Sequence, residues 1–94
     1  MDIAIGDIVQ ATVGREAGKL FFVLEVQEGT LLLVDGKSRK LEAPKRKKVK
    51  HTAFVARGTD RAAEKLRSNE KITNSELRKA LAVIGENGNE NQEG

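Results

Sequence analysis

The chain has 94 residues, a net charge of +3 at neutral pH and 38% hydrophobic residues, which allows one small domain with its own core. It contains no cysteine and a single histidine, His51, so disulfides, iron–sulfur clusters, thiol nucleophiles and multi-histidine metal sites are excluded. No apolar run approaches the roughly 18 residues of a membrane-spanning helix. The first seven residues carry two carboxylates and no Lys or Arg, unlike a secretory signal. We therefore expect a cytoplasmic binding protein, not an enzyme, with no metal or other cofactor.

The positive charge is concentrated in one window of the chain. Residues 1–36 carry a net charge of −4, and residues 52–94 carry equal numbers of cations and anions. Residues 37–51 carry +7, because eight cations stand there against Glu42 alone. A focused cluster of this kind attracts polyanions more strongly than the same charge spread evenly. The eight cations are Lys37, Arg39, Lys40, Lys45, Arg46, Lys47, Lys48 and Lys50.

The first half of the chain predicts five short antiparallel strands joined by tight turns. Alternation of apolar and polar residues predicts the first strand, and a loop bounded by Gly14 and Gly18 follows it. The second strand is apolar on both faces at its start, as expected of a strongly curved strand in a small barrel. Asp35-Gly36 predicts a tight hairpin before a charged edge strand that Pro44 ends. The expected strands are Val9–Val13, Lys19–Glu28, Leu31–Val34, Lys37–Glu42 and about Lys48–Val55.

The second half predicts two helices. Good helix formers fill Arg61–Arg67 behind Asp60, a suitable N-cap. Thr73 and Glu76 form a capping box, so a second helix should begin near residue 74 and end near residue 84. We expect this helix to be loosely attached and to become ordered on a partner. Its apolar stripe consists of Leu77, Ala80, Leu81 and Ile84.

These patterns predict three regions. Residues 1–56 form a small β-barrel domain, residues 57–85 a helical extension, and residues 86–94 a disordered tail. The tail consists of Glu, Asn, Gln and Gly only, so it has no apolar surface to bury.

Three segments of the chain resemble the KOW motif. They are Gly6-Asp7-Ile8-Val9, the loop Gly14–Leu20 with its Gly-Lys pair, and the alternating strand Val23–Val26. With Leu33-Val34-Asp35-Gly36 the chain looks most like the KOW proteins of the large ribosomal subunit in the L-fourteen-e group. The basic run after it is similar to that of small bacterial KOW-domain RNA-binding proteins. The resemblance implies an SH3-like barrel and ribosomal RNA as the partner. It extends also to NusG-type transcription factors, whose KOW domain can dock proteins, but this chain shows no counterpart of their N-terminal domain.

The candidate RNA contacts are the cations of the basic window, with His51 and two cations that flank the glycine loop. A dense run of like charges costs repulsion that a polyanion relieves, so phosphate contacts are the preferred interpretation. The glycines of the loop either permit the positive φ angles of a hairpin or allow the backbone to approach a sugar-phosphate chain closely. Gly18 itself should need a positive φ or have a close backbone neighbour. His51 either contacts a base or phosphate or is structural. The candidates are Arg15, Lys19, Lys37, Arg39, Lys40, Lys45, Arg46, Lys47, Lys48, Lys50 and His51.

The three phenylalanines, Phe21, Phe22 and Phe54, belong mainly to the predicted core, with one at most exposed for base stacking.

The function predicted from these observations is non-catalytic RNA binding in the cytoplasm. We expect a ribosome-associated protein that acts in translation, is monomeric when free and has ribosomal proteins as further partners. The alternative is a protein-interaction module of a translation or transcription complex that uses the apolar stripe of the second helix.

Overall fold

The strands form one antiparallel sheet, and two helices follow it. The computed structural model describes the backbone of residues 2–93 and the side chains of residues 2–85. Across the sheet the strand order is β4-β3-β2-β1-β5, so the last strand pairs with the first, and β4 and β5 are the two edges of an open sheet. The predicted mainly-β class with five antiparallel strands is confirmed. The elements are β1 (Ile8–Ala11), β2 (Leu20–Gln27), β3 (Thr30–Val34), β4 (Lys45–Lys48), a 3₁₀ turn (Val49–His51), β5 (Thr52–Ala56), α1 (Arg61–Arg67) and α2 (Asn74–Glu93).

The central strands β1, β2 and β3 are apolar on both faces, and each face packs into its own core cluster. Phe21 lies in the first cluster and Phe22 in the second, which explains the continuous apolar start of β2. The first cluster contains only residues from the sheet: Val9, Ala11, Phe21, Val23, Leu31 and Leu33. The second joins the sheet to the helices: Ile8, Phe22, Val34, Ala62, Ala63, Leu66, Leu77 and Leu81.

The predicted hairpin at Asp35-Gly36 and the strand over Lys37–Glu42 are wrong. Gly36 has a positive φ of 77° and Asp35 does not, whereas the expected turn needs positive φ at both residues. The Asp35 carboxylate instead accepts hydrogen bonds from the backbone N–H groups of Lys37 and Arg39 at 2.9 and 2.7 Å and folds the segment into a loop. The charged edge strand comes after Pro44, as β4, and its residues Lys45–Lys48 pair with Thr30–Leu33 of β3.

Both predicted helix starts are confirmed. The Asp60 carboxylate accepts a hydrogen bond from the backbone N–H of Ala63 at 3.1 Å, which caps α1. At α2 the Thr73 hydroxyl accepts from the backbone N–H of Glu76 at 3.2 Å, and the Glu76 carboxylate accepts from that of Thr73 at 3.3 Å. The predicted end near Ile84 is corrected, because α2 is Asn74–Glu93 and its backbone is helical through most of residues 86–94. The disorder predicted for that segment in solution stays a prediction.

The second helix docks on the sheet through its apolar stripe. Leu77 is fully buried and Leu81 is 8% exposed, and both lie in the second cluster with Phe22. Ala80 and Ile84 are half-buried against the same cluster. The expectation of a loosely attached helix is therefore wrong. The apolar stripe that was expected to bind a partner is already packed against the sheet. Within the described part of the chain, no helix is long and apolar enough to cross a membrane.

Candidate nucleic-acid interface

Four of the candidate cations make up an entire edge strand. Strand β4, which we call the basic strand, is Lys45-Arg46-Lys47-Lys48, and it pairs only with β3 because it ends the sheet. Side chains alternate along a strand, so Arg46 and Lys48 point to one face and Lys45 and Lys47 to the other. Arg46 and Lys48 are exposed, and Lys45 and Lys47 are half-buried. The fold thus presents a row of cations along a free sheet edge.

The basic strand is held next to the loop between β1 and β2. The Lys47 ammonium group donates a hydrogen bond to the carbonyl oxygen of Val13 at 2.9 Å, and it would lie 3.6 Å from a Cβ placed on Gly14. At the neighbouring chain segment, the backbone N–H of Thr12 donates to the carbonyl of His51 at 2.9 Å. These contacts bring the glycine loop and the basic run, which are far apart in the sequence, to one side of the molecule.

A buried carboxylate lies beneath this surface. Glu16 is 6% exposed, and its carboxylate accepts a hydrogen bond from the Arg39 Nε at 2.7 Å. That hydrogen bond, with the nearby positive charges of Arg39, Lys45 and Lys47, holds the pKa of Glu16 below its usual range despite the opposing effect of burial. The same pair raises the pKa of Arg39. Arg39, predicted as a phosphate contact, therefore already has an anionic partner within the protein, and Glu16 was missed.

The Glu16–Arg39 pair predicts an acid-dependent loss of stability. A carboxylate with a lowered folded-state pKa stabilises the fold fully above its ordinary pKa of 4.5 and stops doing so as the pH falls through the lowered value. Below about pH 5 the free energy of unfolding should therefore fall more steeply in the wild type than in Glu16→Gln. Denaturant melts of both proteins from pH 7 to pH 3 test this, because acid effects from other carboxylates are common to both. Parallel curves would contradict it.

The remaining candidates do not all lie at the basic strand. Lys19 and Lys37 line a cavity between α2 and the loop that follows β3. Arg15, Lys40 and Lys50 are exposed, and His51 is half-buried beside the basic strand. The structure thus places most of the predicted set at the basic strand and glycine loop or on the wall of a cavity, while Lys40 lies in the loop between β3 and β4.

Sequence reasoning missed one cation at this cavity, Arg78 of α2. Arg78 lies about one turn before Leu81, so the sequence would place it at the cavity only if the docking face of the helix were already known.

Of the three phenylalanines, Phe54 of β5 is the exposed one, with 38% of its surface accessible, and Phe21 and Phe22 are buried. The expectation that at most one of them is exposed is confirmed.

Gly18, at the end of the glycine loop, has a positive φ of 91° and open space around its Cα, so conformation alone requires glycine there.

Among the side chains that the structure describes, no group of three or more His, Asp and Glu residues is placed to hold a metal ion. In comparisons with known proteins, no family model matches the chain, and no curated protein matches it.

Proposed function

We propose that the protein is a non-catalytic RNA-binding protein that binds ribosomal RNA through the phosphate groups along its backbone. The observation that carries this proposal is the basic strand, four consecutive cations on an unpaired sheet edge. Single-signed charge on an edge prevents pairing with other chains, and it also matches a polyanion. Because an antiparallel edge displays its side chains at regular spacing, a sugar-phosphate chain can follow its length.

The preference for RNA over DNA rests on the resemblance to KOW proteins, which covers residues 3 to about 55. We propose with it that the five strands correspond to the SH3-like barrel of that family. We also propose that the protein is cytoplasmic, associates with the ribosome and has a role in translation. The pairing of β5 with β1 and the hydrogen bonds from Lys47 to Val13 and from Thr12 to His51 support the correspondence with a barrel, since they draw the two sheet edges toward each other. The alternative, a protein-interaction module that uses the stripe of α2, needs Leu77 and Leu81 to be free, and both are buried.

Changing Lys45, Arg46, Lys47 and Lys48 together to Gln should weaken binding to a single-stranded RNA at least tenfold at low salt. It should also flatten the dependence of log K on log salt by about 2 to 3, since each phosphate contact on a single strand contributes about −0.7. Affinity for unrelated RNAs should fall alike, because phosphate contacts carry no sequence information. Fluorescence anisotropy at several salt concentrations measures both quantities.

The matched control removes four exposed cations from elsewhere: Arg57, Arg61, Lys71 and Lys79, each changed to Gln. Net charge then changes equally, so any difference between the variants is due to position. If both variants bind RNA equally well, the basic strand is not the binding site. Thermal melts should show both variants folded, because exposed charges contribute little to stability and Gln retains part of the aliphatic stem of the half-buried Lys45 and Lys47.

A further inference from the structure

A cavity of about 460 Å³, broadly open to solvent, lies between α2 and the loop that follows β3. Its walls combine positively charged and apolar side chains. Three cations, Lys19, Lys37 and Arg78, come from the glycine loop, the β3–β4 loop and α2, while Leu20, Leu81 and Ala82 supply apolar surface. Cavities of this size, apolar with a few converging charged groups, are typical of sites for small organic molecules or for part of a larger one.

The charges of the cavity favour an anion. Among the described side chains, none of the three cations forms an ion pair with a carboxylate. The carboxylate on the wall, Asp35, accepts hydrogen bonds from two backbone N–H groups and from the Ser38 hydroxyl, the last at 2.8 Å. Burial alone would raise the pKa of Asp35, but these hydrogen bonds hold it below its usual range. The charge of the Asp35 carboxylate is therefore stabilised by the backbone of its own loop. Three cations against one carboxylate leave the described walls with an excess of two positive charges, and the Arg78 guanidinium donates only to the neutral Ser75 hydroxyl, at 3.5 Å, among the described side chains.

The walls are held in place before any ligand binds. Gly36 packs directly on the backbone carbonyl of Asn74, so that a Cβ there would overlap it. The Asn74 side chain accepts a hydrogen bond from the backbone N–H of Leu41 and donates one to the Glu42 carboxylate, both at 2.8 Å. The loop that carries Lys37 is therefore fastened to the helix that carries Arg78. A site fixed in advance loses less entropy when it binds.

We propose that this cavity binds one nucleotide of the RNA, with its phosphate at Lys19, Lys37 and Arg78 and its base or ribose against Leu20 and Leu81. The inference rests on the proposed function and extends it. The loop that ends at Lys19 also contains Glu16, which bonds Arg39, and follows Val13, which bonds Lys47 of the basic strand. One RNA chain that leaves the basic strand along this loop arrives at the cavity, so the helix takes part in RNA binding.

Arg78→Gln tests the proposal against Lys79→Gln. Both residues are exposed neighbours on α2 and carry the same charge, but only Arg78 lines the cavity. For a single-stranded RNA of about 12 nucleotides, within the range of known single-strand sites, Arg78→Gln should weaken binding about fivefold and Lys79→Gln less than twofold. The salt dependence should flatten by about 0.7 in Arg78→Gln alone. Equal affinities and equal salt dependence in the two variants would overturn the proposal.

Titration of the wild type with uridine 5′-monophosphate, followed by NMR of the Leu20 and Leu81 methyl groups, separates this inference from the proposed function. Shifts of these methyls that Arg78→Gln abolishes and Lys79→Gln preserves support the nucleotide site, whatever the basic-strand variant does. If the basic-strand variant loses RNA binding while RNA leaves both methyls unshifted in the wild type, the function stands and the cavity is not part of the site.

Discussion

Leu77→Ala is expected to lower the free energy of unfolding by about 3 kcal/mol, which is on the order of 12–24 °C in melting temperature for a domain of this size. Leu77 is fully buried at the point where α2 meets the sheet, in the cluster that contains Ile8 and Phe22. Truncation removes the buried methyl groups and leaves a cavity that rigid strands cannot close. The loss should be cooperative, because this cluster joins both helices to the sheet.

The matched control is Val83→Ala on the same helix, where 54% of the valine is already exposed. It should change the melting temperature little, since little apolar surface returns to water. Amide exchange gives an independent readout. Residues 76–84 of the wild type should be protected about as strongly as residues 20–26 of β2, and Leu77→Ala should weaken the protection of both segments. Fast exchange over residues 76–84 in the wild type would show that the helix is not part of the folded core.

Gly36→Ala is expected to cost about 3 kcal/mol or more, through backbone strain and a direct clash together. At a φ of 77° an L-residue is strained, and the added Cβ would overlap the carbonyl of Asn74 and lie 3.0 Å from the backbone nitrogen of Arg78. Because these are backbone atoms at the start of α2, no side-chain rotation relieves the overlap. The loop must separate from the helix, and the Leu41–Asn74 hydrogen bond should be lost with it.

Gly18→Ala isolates the strain from the clash. Gly18 has a similar φ of 91°, but a Cβ there meets no described atom within 4 Å apart from its own chain neighbours. It should therefore cost only the conformational part, about 1–2 kcal/mol. Denaturant melts of the two variants measure the difference directly. Equal destabilisation would mean that the contact between Gly36 and Asn74 does not constrain the fold.

Local signals in the sequence predicted the helices best. The caps at Asp60 and Thr73 depend on contacts between residues three apart, so the sequence contains the whole interaction. The fourth strand was misplaced because its formation depends on distant residues. Lys45–Lys48 has no apolar alternation, and it becomes a strand by backbone pairing with β3, which any residue except proline can provide.

The candidate site shows the same division between local and distant information. The charge count identified the basic run, since it needs only composition along the chain. The partnership of Glu16 with Arg39 spans 23 residues, and the place of Arg78 in the cavity depends on how α2 docks. Neither follows from spacing in the sequence. The sequence therefore predicted which charges were available but not which of them the fold neutralises or brings together.

The two edges of the sheet also affect how the protein behaves at high concentration. At β4, four cations repel an approaching copy, whereas β5 has no charged residue from Thr52 to Ala56 and leaves Phe54 and Val55 about 40% exposed. A polyanion bound to β4 would cancel the repulsion and leave the apolar edge uncovered. The colloidal solubility of the complex would then be lowest near charge neutrality and would recover when excess RNA makes the particles negative.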